Sequence, residues 1–150
     1  MRKIPAVLVL LTAFSFPACA SSPDDKPVDQ QSIDALQARA AQASPREQCF
    51  LYAQLVHELI EFSAKQYTSG EIEKATALLK QAEQFTHKIH TAVATDDKKL
   101  KDAQILLRHT AFRLNELIHN SNEEDKPLMT ATLAQLNAAQ NETMLAVFKK

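Results

Sequence analysis

Past residue 30 the chain has one glycine, Gly70, and two prolines, Pro45 and Pro127. That scarcity limits the folds open to it. Tight hairpin turns need residues that tolerate positive φ, and two-residue hairpins depend on Asn-Gly, Asp-Gly or Gly-Gly pairs. The chain has none of these pairs and no run of alternating apolar and polar residues. Ala, Leu, Gln, Glu and Lys dominate instead, and all are good helix formers. The expectation is an all-α antiparallel bundle of four to five helices over residues 31–150.

Helix boundaries follow from start and stop signals. A first helix is expected over 31–43, with Ile33, Leu36 and Ala40 on one modest face. Ser44-Pro45-Arg46-Glu47 reads as a capping box. There Ser44 accepts from the Glu47 amide, Glu47 reaches back, and proline at the first helical position loses no bond. The second helix should run to Ser69. At 100° per residue Cys49, Tyr52, Ala53, Val56, Leu59, Ile60, Ser63 and Tyr67 form one stripe, flanked by Leu51, Leu55 and Phe62. Together they cover about 200° of the circumference, more than a surface helix needs, so this helix should be central.

Gly70 is the expected stop, because a glycine readily takes the left-handed conformation that ends helices. A third helix over 71–94 should bury Ile72, Ala75, Leu78, Leu79, Ala82, Phe85, Ile89 and Val93. Thr95-Asp96-Asp97 is the expected cap of a fourth helix over 97–120, with Leu100, Ala103, Leu106, Leu107, Thr110, Ala111, Leu114, Leu117 and Ile118 inward. Pro127 opens a fifth helix to Phe148, with Met129, Leu133, Leu136, Thr143, Met144 and Val147 inward. Short connections favour antiparallel neighbours.

Gly70, Ile72, Ala75 and Ala82, with Leu78 and Leu79 between, have the order of residues found in the middle of a tetratricopeptide repeat. The stretch of about residues 50–90 resembles that family in a turn glycine, a bulky residue two positions later and two alanines on the following helix. The resemblance implies a helical hairpin at the centre of the bundle whose small residues let the two helices approach closely. It covers about 34 residues, one repeat length. The repeat's usual Trp and closing Pro have no counterpart, and no second copy is evident in the sequence.

The first 20 residues read as an address. Met1-Arg2-Lys3 is followed by an apolar run from Ile4 to Phe16 and by Pro17-Ala18-Cys19-Ala20. A positive start, an apolar core and a small-residue exit make up a secretory signal peptide. The run is too short to span a bilayer, which takes about 20 apolar residues. Two export routes fit. In one, cleavage follows Ala20 and the chain is periplasmic or extracellular. In the other, Phe16-Pro17-Ala18-Cys19 resembles a bacterial lipobox, and Cys19 becomes a lipidated, envelope-anchored first residue. A membrane is a partner only by that second route. Residues 21–30 are polar and proline-bearing, and read as a disordered tether.

Either route leaves Cys49 without Cys19, so a disulfide framework is excluded, and the Cys49 thiol reads as a small buried apolar group. The net charge is −1 for the whole chain and falls to −3 once Arg2 and Lys3 leave with the signal. There is no basic stripe with interleaved aromatics, so nucleic acid is not an expected partner.

Reaction chemistry finds little support. Glu116-Leu117-Ile118-His119 matches one Glu-x-x-His element, but di-iron bundles need two, plus two further glutamates facing inward. On the helical wheel Glu116 and His119 point outward. His87 and His90 lie three apart on what reads as a solvated flank, and His57 reads as a packed or capping histidine. No nucleophile elbow, phosphate loop or dinucleotide fingerprint occurs. Asn141-Glu142-Thr143 forms a sequon by chance. No cofactor, metal or catalytic residue is expected.

The function read from these residues is that of a non-catalytic exported protein that binds another protein in the cell envelope. A contact surface is expected beside Tyr52, Phe62 and Tyr67, unless these aromatics are simply core. The alternative is a small-ligand or metal carrier with a pocket between helices. It would use Tyr52, Ser63, Thr110 and Thr143 as inward polar groups.

Overall fold

A computed structural model describes residues 27–93 and 99–149. The expected signal peptide, the lipidation site Cys19, most of the tether and the cap Thr95-Asp96-Asp97 lie outside the described residues. All five expected helices are present: α1 (Gln30–Gln42), α2 (Pro45–Thr68), α3 (Ile72–Ala92), α4 (Leu100–Asn120) and α5 (Lys126–Phe148). Among the described residues there is no strand, and no helix is long and apolar enough to cross a membrane.

The helix ends show local chemistry at work. α1 starts inside the stretch read as a tether. Asp29 accepts from the Ser32 amide at 2.8 Å, and the Ser32 hydroxyl oxygen accepts from the Asp29 amide at 3.2 Å, which completes a reciprocal cap. At α2 the expected box takes another form. Ser44 makes no side-chain bond to the backbone, and its hydroxyl instead donates to Glu47 Oε2 at 3.3 Å. Pro45 stands at the helix start as expected. At the other end Gly70 takes φ +79°. Its amide donates to the Tyr67 carbonyl at 3.0 Å and that of Glu71 to the Gln66 carbonyl at 2.9 Å. This pair of bonds is a Schellman closure, which satisfies carbonyls that the helix itself leaves open.

Cross-helix contacts fix the topology. Tyr52 stacks on Phe85 and the Ser63 hydroxyl donates to the Ala75 carbonyl at 2.9 Å, so α2 and α3 run antiparallel. Between α2 and α4, His57 meets Thr110 and Glu61 meets Arg113, so these helices run parallel. Between α3 and α5, Glu83 meets Gln135 and His90 meets Glu142, which makes that pair parallel too. The molecule is therefore two antiparallel hairpins, α2–α3 and α4–α5, stacked with like helices side by side. α1 packs on α2 alone.

This arrangement explains the width of the α2 stripe. α2 touches α1, α3 and α4, while every other helix touches at most two. Cys49, Leu51, Ala53, Leu55, Val56, Leu59, Ile60 and Ser63 are all buried along it. Ala75 and Ala82 of α3 and Ala103 of α4 are also buried. Thr86, Thr110, Thr132 and Thr143 are buried as well, and each hydroxyl donates to the carbonyl four residues earlier. Bonds of that kind let a polar side chain enter a core without a partner from another helix.

Candidate functional site

The three aromatics expected at a contact surface do not line one groove. The Tyr52 ring lies 6.1 Å from that of Phe85, and Lys88 Nζ sits 5.8 Å from the Tyr52 centroid and 4.8 Å from that of Phe85. Tyr67 is 15 positions further along α2, which at 1.5 Å per residue is about 22 Å away. Its hydroxyl donates to Asp125 Oδ2 at 3.0 Å and accepts from the Asn122 amide at 2.8 Å. Tyr67 thus ties the end of α2 to the α4–α5 loop. Phe62 is half-buried against the core. On the helical wheel it lies some 80° from Tyr52.

The α2–α4 seam brings more together. The Thr110 hydroxyl donates to the Leu106 carbonyl at 2.8 Å and lies 2.9 Å from His57 Nδ1. A hydroxyl has one proton, so His57 Nδ1–H must be the donor to Thr110. Burial lowers the His57 pKa, and His109 and Arg113 push the same way against Glu61. The His109 ring stands 5.5 Å from that of His57, tilted by 49°. One turn on, Arg113 binds both oxygens of Glu61, at 2.9 and 3.3 Å, and Glu116 at 2.6 Å. Burial alone would raise the Glu61 pKa, but the Arg113 hydrogen bonds and charge, with His57 and His109, hold it below the usual carboxylate range. Arg113 is itself held protonated by the two glutamates.

Glu116 lies on the outer side of α4, its side chain 44% exposed, where the Arg113 side chain reaches over the helix surface to pair with it. His119 is exposed, its Nδ1 donating to the Asn115 carbonyl at 2.7 Å. His87 is exposed and 6.2 Å from His90 between ring centroids, while His90 Nδ1 meets Glu142 Oε2 at 2.5 Å. Among the described residues no group of three or more His, Cys, Asp or Glu side chains could hold a metal ion. The Cys49 thiol is buried in the core. Of the polar groups a carrier pocket would use, Ser63, Thr110 and Thr143 each give their hydroxyl proton to a backbone carbonyl.

Beside the charged seam lies an open cleft of about 430 Å³, lined by Phe50, Gln54, Asp102, Ile105, Leu106 and His109. Ile105 is 49% exposed, and Phe112, two turns along the same side of α4, is 60% exposed. The sequence carried a signal for both. Ile105 and Phe112 are seven apart, and both fall outside the buried arc defined by Leu100, Leu107 and Leu114. The chain matches no protein-family model, and comparison with curated proteins and with solved structures finds no match.

Proposed function

We propose that this chain is a non-catalytic exported protein that docks an apolar segment of another protein in the cell envelope. The observation that carries the reading is the cleft on the α2–α4 seam. Large apolar side chains that stay in water cost free energy, and a cluster of them marks a binding surface more often than a lone residue does. Phe50, Ile105 and Leu106 are its apolar lining, and exposed Phe112 lies two turns further along α4 on the side of Ile105. Asp102 and His109 at the rim, with Arg113 and Glu116 beyond, supply polar groups for register. An apolar centre with a polar rim is the usual anatomy of a protein interface.

The export half of the reading rests on the layout of residues 1–20. The test is capture from an envelope extract by the native chain and by Ile105→Glu. Ile105 is half in water, so a glutamate there leaves the helices folded, as circular dichroism can verify. A partner held by the native chain and lost by Ile105→Glu supports the reading. Equal capture by both, or no capture by either, overturns it.

A further inference from the structure

A second surface lies on α5. From Pro127 to Phe148 this helix carries one charged side chain, Glu142, which turns toward α3 to meet His90. The face turned away from α3 and α4 presents Pro127, Ala131, Ala134, Ala138, Leu145 and Phe148, all exposed, together with exposed Thr130 and Asn141. Leu145 is 56% exposed and Phe148 81%. A stack of hairpins ordinarily closes on a polar face, because its last helix has no neighbour to cover it. Here the one charged side chain between Pro127 and Phe148, Glu142, is exposed at the edge of that open side and is paired with His90.

We propose that this face binds a second copy of the same chain, α5 against α5 in antiparallel register about a two-fold axis near Ala138. Size and charge both select that partner. The face is small in its first half, at Ala131 and Ala134, and large in its second, at Leu145 and Phe148. A two-fold axis at Ala138 sets Ala131 of one copy against Leu145 of the other and brings Phe148 to the Pro127 end. Large side chains then fill the spaces that alanines leave, on both sides at once, as an isologous contact requires. Just before α5 stands Glu123-Glu124-Asp125, and just after it Lys149-Lys150. Antiparallel pairing sets the acidic start of each helix beside the basic end of the other, whereas parallel pairing would set like against like.

The size of the contact sets its strength. α5 from Pro127 to Phe148 is about 33 Å long, and a strip about 10 Å wide buries on the order of 650 Å² across the pair. Interfaces below about 1,200 Å² belong to the weak, transient class, so the dimer dissociates on dilution.

Sedimentation velocity on the exported chain over a range of micromolar concentrations reads this directly. The native chain is expected to shift from monomer toward dimer as concentration rises, and Ala138→Glu to stay monomeric throughout. Ala138 is exposed, so the glutamate does not disturb the fold. In a Cys19→Ser background, Ala138→Cys should form a disulfide-linked dimer under mild oxidation faster than Ala77→Cys, an exposed site on α3. A native chain that stays monomeric across the whole range overturns the proposal. So does an Ala138→Cys crosslink no faster than that of Ala77→Cys. The readout is independent of the cleft at Ile105, so either proposal can fail without the other.

Discussion

Leu59→Ala tests whether α2 is the central helix. Leu59 is 0% exposed and sits midway along the helix that touches α1, α3 and α4. The substitution removes three carbon atoms from the interior. At about 0.8 kcal/mol per buried methylene, the lost transfer free energy is about 2.4 kcal/mol. A void of roughly 75 Å³ that does not relax adds up to about 2 kcal/mol, at about 24 cal/mol per Å³. Packing on three sides leaves little freedom for collapse, so the expected loss is about 3–4 kcal/mol. Urea unfolding followed by circular dichroism measures it as a fall in midpoint with an unchanged slope. Ile105→Ala is the control. It deletes as many carbons, but 49% of that residue is already in water, so its transfer loss is at most about 1.2 kcal/mol with no enclosed void. A Leu59→Ala loss no larger than that of Ile105→Ala would refute the placement of α2.

Two further substitutions probe single residues. Burial raises the Glu58 carboxyl above its ordinary value of 4.5, with Asp29 adding to the effect and Ser32 opposing it, and Oε2 has no hydrogen-bond partner. The folded state therefore holds this proton more tightly than the unfolded state, and the stability gained from it at low pH is lost as pH rises through the raised value. Glu58→Gln should melt higher than the native chain at neutral pH and no higher below about pH 4, and a gain independent of pH would contradict this. Gly70 holds φ +79°, and a Cβ added there would meet nothing within 4 Å. Gly70→Ala should thus cost about 1–2 kcal/mol through backbone strain alone, and a neutral substitution would mean the turn relaxes to negative φ.

Much of this fold could be read locally. The stop at Gly70 and the start at Pro45 are decided by one residue's conformational range, and the buried residues of α2, α3 and α4 repeat at helical spacing. The cap of α1 was hidden because it pairs Asp29 with a serine at Ser32, where the usual signal is Glu or Gln three residues on. The stacking of the two hairpins had no local signal. His57 with Thr110, Glu61 with Arg113 and Glu83 with Gln135 are each separated by 52 or 53 positions. No periodicity within a single helix encodes such a distance. The cleft at Ile105 exists only because that stacking sets α4 beside α2.

α5 marks the limit of what helical spacing reveals. On a helix with one charged and one apolar side, water selects which side turns inward. α5 offers water almost no such choice, since alanine, leucine, methionine and phenylalanine occur around its whole circumference. The sequence placed Leu133, Met144 and Val147 inward. The structure leaves them half-buried and sinks Thr132 and Ala139 instead. The tie between His90 and Glu142 and that between Glu83 and Gln135 provide the missing bias, because they hold one edge of α5 against α3. Once that edge is fixed, Leu145 and Phe148 must face out. Their exposure in the single chain follows from the way α3 grips the helix.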